Sequence, residues 1–84
     1  MAKRALWTAE ARADVRSIDR ETAMRLLKSL SRYLTNDSGD VKQLKGFDPP
    51  LQRLRVGDWR LVFRIVDQES IEIMRVQNRR KVYR

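Results

Sequence analysis

Between Gln52 and Val66 apolar and polar residues alternate almost without a break on either side of the dipeptide Gly57-Asp58. Period-two alternation marks a strand with one buried face, and Gly-Asp between two such runs predicts a hairpin closed by a primed turn, whose twist matches that of the strands. A two-residue turn fixes the register as Val56 opposite Trp59, Arg55 opposite Arg60 and Leu54 opposite Leu61. Leu54, Val56, Trp59, Leu61, Phe63 and Ile65 then share an apolar face. Arg53, Arg55, Arg60 and Arg64, with Val62 among them, share the other. Setting Arg55 across from Arg60 costs the ladder a few tenths of a kcal/mol or more, so this face gains from a bound anion.

The rest of the chain predicts what the apolar face packs against. Arg4 to Trp7 reads as a short first strand. Thr8 is an N-cap with Glu10 in the first turn, and Ala11, Val15 and Ile18 give a thin apolar stripe on a helix of about three turns, with Arg12, Asp14 and Arg16 on its outer side. Asp19 caps a second, longer helix with Glu21 in its first turn. Its stripe is Ala23, Leu26, Leu27, Leu30 and Leu34, with Tyr33 beside it. The run Thr35 to Asp40 consists of turn formers and stops that helix. Val41 to Pro50 reads as a connecting loop that passes close to the sheet, held extended at its end by Pro49-Pro50. After a turn at Asp67 to Ser70, Ile71 to Val76 is a further strand. If Val66 pairs with Ile71, Met74 and Val76 join the core and Arg75 comes up beside Val62 and Arg60, whereas a slip of one residue would reverse them. The expected fold is α+β: an N-terminal strand, a helical hairpin and a three-stranded antiparallel meander, with the helices packed on one sheet face.

Composition narrows the chemistry. At 84 residues the chain is expected to form a single domain, 1–84, near the size at which one core barely suffices. It has no cysteine and no histidine, so thiolate and imidazole metal ligands and the commonest general base are missing together, and no carboxylate spacing suggests a metal site. Lys and Arg number 19 against 11 Asp and Glu, a net charge of +8, and arginine predominates. The planar guanidinium fork suits phosphate or carboxylate, which favours a nucleic acid or an acidic protein segment as partner. No apolar run nears the roughly 20 residues of a membrane span, and no signal-like segment opens the sequence, so a cytoplasmic protein is expected. Trp59, Phe47 and Phe63 lie in apolar patterns and are assigned to the core rather than to base stacking.

Three segments in order, LKG at 44–46, LRVGDWRLVF at 54–63 and NRRKVYR at 78–84, give the chain a resemblance to the RelE/ParE superfamily of toxins from type II toxin-antitoxin systems. It extends over nearly the whole sequence. The resemblance implies a RelE-like fold, a cognate antitoxin as partner and, in the RelE branch, a metal-free, cofactor-free endoribonuclease that cuts messenger RNA on the ribosome and so inhibits translation. Residue by residue, Arg60 matches the family's arginine at the start of a strand, Arg79 its arginine after the last strand and Tyr83 its C-terminal tyrosine. Arg53 stands where a lysine is expected, Leu51 occupies a neighbouring lysine site, and Gln77-Asn78 replaces a pair usually led by glycine.

Metal-free cleavage by the adjacent 2′-OH requires alignment, removal of the 2′ proton, stabilisation of the phosphorane and protonation of the leaving oxygen. Arg60 and Arg79 are assigned to the phosphorane and Tyr83 to a base or orienting role. Lys45, Arg53, Arg55, Arg64 and Arg75 are expected to hold RNA phosphates, with Lys45 the other titratable group. The alternatives are a ParE-like inhibitor of DNA gyrase without catalytic residues and an inactive module that binds only its antitoxin. Arg79 together with Tyr83 favours the nuclease.

Overall fold

The structure, a computed structural model, describes residues 3–78. Arg79 and Tyr83 therefore lie outside the described residues. The order of elements is β1 (Arg4–Trp7), α1 (Ala9–Arg16), α2 (Arg20–Asn36), β2 (Asp40–Leu44), β3 (Leu51–Val56), β4 (Trp59–Asp67) and β5 (Ser70–Asn78). The strands form one sheet in the order β1-β5-β4-β3-β2, antiparallel from β2 to β5, with β1 parallel to β5. The fold is thus α+β as expected, but the meander has four strands. Asp40–Leu44, read from sequence as loop, is an edge strand that pairs with Leu51 to Arg55. Its apolar residues, Val41 and Leu44, are three apart and show no period of two, so only its partner's main chain makes it a strand.

Local signals place the helices. The Thr8 hydroxyl accepts from the Ala11 N–H at 3.1 Å and the Asp19 carboxylate from Thr22 N–H at 3.0 Å, satisfying donors that the first turn leaves open. Helix α1 is shorter than its stripe suggested and ends at Arg16, with Ser17 as C-cap. Helix α2 stops where Asp37 turns left-handed (φ 57°) and returns its N–H to the Tyr33 carbonyl at 2.9 Å. Lys3 pairs with Asp37 at 3.1 Å, tying the start of β1 to the end of α2.

Both helices cover one face. Ala11, Leu26, Leu30 and Tyr33 meet Leu54, Leu61, Phe63, Ile71, Ile73 and Val76 in one core, with the Tyr33 and Phe63 rings 5.3 Å apart. Four apolar expectations fail: Leu27, placed in the apolar stripe of α2, is exposed, and three more lie in the sheet and its connections. Phe47 and Ile65 are about half exposed (53% and 51%), Phe47 in the β2–β3 connection and Ile65 near the far end of β4. Met74 is absorbed by a bulge: Leu61 faces Val76 and Val62 faces Arg75, but Phe63 faces Ile73. That extra residue lets Ile71, Ile73 and Val76 all point inward, which strict alternation forbids. Val66 does not pair with Ile71; Ile65 does.

Candidate nucleic-acid interface

The Gly57-Asp58 turn has the predicted register, with Val56 opposite Trp59, Arg55 opposite Arg60 and Leu54 opposite Leu61. Gly57 takes a φ of 62°, as the first central residue of a type II′ turn requires. From this register the face away from the helices can be read row by row. One row runs Asp40, Arg55, Arg60, Gln77 across β2 to β5, and the next runs Lys42, Arg53, Val62, Arg75. Arg64 and Glu72 are opposed in a third. Val62 is buried on this face (7% exposed), where long arginine stems contribute apolar area.

The cations on this face are not equivalent. Arg64 donates through Nε to Glu72 at 2.7 Å, Arg53 lies 3.4 Å from the Asp40 carboxylate, and Arg75 donates to Asp14 at 2.8 and 3.2 Å. Arg55 has only a 3.4 Å contact from Nε to the Gly57 carbonyl, and Arg60 has no ion pair or side-chain hydrogen bond among the described residues. Arg55 and Arg60 are thus two opposed positive charges without a protein counter-ion among the described residues, the arrangement that an incoming phosphate stabilises.

Not every residue picked from the sequence comes to this row. Arg53 sits one row away. Lys45 follows β2 in an exposed turn at the opposite end of the sheet, and Arg64 is four residues along β4 from Arg60. Four residues of strand span roughly 13 Å, so neither shares a site with Arg60. Arg75 has the register expected of it, but its guanidinium is engaged by Asp14.

The sequence pattern puts Asp14 on the outer side of α1 beside Arg12 and Arg16; the structure turns it onto β5. Its carboxylate accepts from the backbone N–H of Val76 at 2.9 Å as well as from Arg75. Because β1 pairs only with residues 70–73, the remainder of β5 is a free edge, and α1 covers it. Thr8 N–H donates to the Ile73 carbonyl, the Thr8 hydroxyl donates to the Met74 carbonyl, and Asp14 takes the Val76 N–H. Burial by itself would raise the Asp14 carboxyl. The hydrogen bonds from Arg75 and Val76 and the guanidinium charge outweigh it and hold the group below the ordinary aspartate value. The same hydrogen bond raises the Arg75 guanidinium. Gln77, opposite Arg60, is the second residue that sequence reasoning missed; only the sheet register brings it to the row.

Among the described residues no group of acidic side chains could hold a metal ion, and no helix is long and apolar enough to cross a membrane.

Residues 5–83 match the family described as ParE toxin of type II toxin-antitoxin system, parDE. No curated protein is significantly similar in sequence. Among solved structures, the chain is similar to the toxin-antitoxin complex RelBE2 of Mycobacterium tuberculosis, with 25% identity, TM-score 0.74, and coverage of 94% of this chain and 100% of that one. It is also similar to the archaeal RelE-RelB complex of Pyrococcus horikoshii OT3, with 20% identity, TM-score 0.75 and coverage of 98% and 100%. The DinJ-YafQ complex of E. coli shares the fold at 11% identity, TM-score 0.77 and full coverage of both chains.

Proposed function

The chain belongs to the ParE toxin family of type II toxin-antitoxin systems, and from that premise we propose that it is a metal-free endoribonuclease that cuts messenger RNA on the ribosome. The observation that carries this reading is the Arg55–Arg60 pair: two opposed guanidiniums on an open sheet face, facing Gln77, without a counter-ion among the described residues. β5 ends at Asn78, and Arg79 follows it in sequence.

In the reaction a 2′-oxygen attacks the adjacent phosphorus as the P–O5′ bond breaks, leaving a 2′,3′-cyclic phosphate and a 5′-OH. Arg60, with Arg79, holds the non-bridging oxygens on which charge grows, while Arg55 and Arg53 grip the flanking backbone. Lys45 lies too far along the sheet to take the 2′ proton, so Tyr83 or the ribosome accepts it, and protonation of O5′ falls to the same sources. With so small a set of proton carriers, the ribosome supplies part of the alignment. The protein acts in the cytoplasm, and its antitoxin covers the cationic face with acidic and apolar residues.

Toeprinting on programmed ribosomes tests this. The parent protein is expected to cut at defined codon positions, and Arg60→Ala to lose at least 100-fold in rate with an unchanged melting temperature. A folded Arg60→Ala protein as active as the parent would sink the assignment of Arg60. Intact message together with gyrase trapped on DNA would favour the ParE-like activity that the family's name suggests.

A further inference from the structure

Beside the Arg55–Arg60 row the open face carries a second pair of cations. Lys42 on β2 lies opposite Arg53 on β3, on the same side of the sheet as Arg55 and Arg60. Lys42 is exposed, and its ammonium makes no ion pair or hydrogen bond among the described residues. The positive charge of this face is spread unevenly. Toward β5 it is cancelled, because Asp14 holds Arg75 and Glu72 holds Arg64. Toward β2 it is not: Asp40, opposite Arg55, turns its carboxylate to Arg53 at 3.4 Å and so sets one negative charge against Lys42, Arg53, Arg55 and Arg60. The next row on this side is apolar, with Leu44 opposite Leu51. The uncompensated charge therefore forms a short diagonal stripe from Arg60 across Arg55 to Lys42.

The two rows are two residues apart along the strands, roughly 6.8 Å, which is one nucleotide's step along an extended backbone. Arg55 and Arg60 face each other and converge on a single anion, and two guanidinium forks are better served by the several oxygens of a phosphate than by the two of a carboxylate. A phosphate seated between them brings its neighbour over the row of Lys42 and Arg53. The lysine ammonium is a compact point charge on a flexible stem, so it meets that second phosphate without a fixed geometry. Resting on the ribonuclease reading above, we propose that Lys42 forms a second phosphate subsite and that the RNA strand crosses the open face diagonally, from Arg60 on β4 toward the β2 edge rather than toward β5. Each subsite takes one backbone phosphate, so the stripe measures out a step of the strand and reads no base.

The test measures binding of the full chain to a fluorescently labelled 2′-O-methyl hexa-adenylate, which lacks the attacking hydroxyl and stays intact, by anisotropy over a series of salt concentrations. Lys42→Ala is expected to weaken binding several-fold at low salt and to make the plot of log affinity against log salt shallower by about 0.7, the contribution of one phosphate contact on a single strand. Lys42→Arg keeps the charge and should restore the slope. Lys28→Ala removes the same charge from an exposed position of α2, on the other side of the sheet, and should keep the parent's slope. Lengthening the ligand from a dinucleotide to a trinucleotide, which adds the second phosphate, should raise affinity in the parent and much less in Lys42→Ala. A Lys42→Ala protein with the parent's slope overturns the subsite and leaves the nuclease reading intact, and an equal loss of slope in Lys28→Ala overturns it as well. An oligoglutamate of the same charge that binds as tightly, with the same dependence on Lys42, assigns the stripe to an acidic protein segment and overturns the RNA track. The expected slopes in a parent that is inert on programmed ribosomes support the subsite and retire the nuclease reading alone.

Discussion

Replacing Asp14 by alanine removes the acceptor that closes the free edge of β5 and leaves two groups without it. The Val76 N–H belongs to a residue only 4% exposed, so it stays dry and unpaired, at a cost of about 1–3 kcal/mol. The Arg75 side chain is 50% exposed and rehydrates, so loss of that ion pair adds only about 0.2–1 kcal/mol. Together about 1–4 kcal/mol is lost, which at about 4–8 °C per kcal/mol in a domain of this size lowers the melting temperature by at least roughly 5 °C. Asp14→Asn keeps an oxygen for the Val76 N–H and should lose only about 1 kcal/mol. The pH dependence separates charge from geometry. The folded-state pKa of Asp14 lies below its ordinary 3.8, so the unfolded chain binds the proton more readily. The carboxylate's contribution is therefore complete above that ordinary value and is lost as pH falls through the folded-state value. Thermal and urea melts of the three proteins from neutral to acid pH measure this: the gap between parent and Asp14→Asn should close on acidification. If Asp14→Ala melts within a degree of the parent at neutral pH, α1 does not hold the edge of β5 in the way described.

Other outcomes follow from single contacts. Gly39→Ala should destabilise by about 1–3 kcal/mol, because its φ is 133° and an added Cβ would sit 2.8 Å from Leu54 Cδ1; Gly57→Ala (φ 62°, nearest contact 3.6 Å) should cost about 1 kcal/mol, and equal urea midpoints would contradict the difference. Thr8→Ala removes both the cap on α1 and the bond to the Met74 carbonyl, an expected loss of about 1–2 kcal/mol that Thr8→Ser should largely restore in the same melts. Calorimetry of antitoxin binding should show affinity falling as salt rises, given a net charge of +8 on the toxin; a flat profile would mean that apolar contacts dominate.

Short-range physics was legible in the chain itself. The two N-caps at Thr8 and Asp19, the end of α2 in a run of turn formers, and the hairpin register around Gly57 each depend on residues within four positions of one another, and each was found where the sequence put it. The basic face followed from the same alternation, since period two leaves an arginine no choice of side once the turn is set. What tertiary structure decided depends on partners far apart in sequence. β2 is a strand because β3 offers it a ladder, although its own pattern is that of a loop. The bulge at Met74 exists because three apolar residues of β5 must reach one core from a strand that alternates. Asp14 finds Arg75 across 61 positions because β1 is too short to cover β5, and that pairing takes Arg75 out of the set of cations without a counter-ion. The sequence by itself thus determined the family, the two faces of the hairpin and the positive charge of the open one. The fold left Arg55 and Arg60 without an ion pair among the described residues and set Gln77 opposite Arg60, because counter-ions and neighbours are allotted by packing.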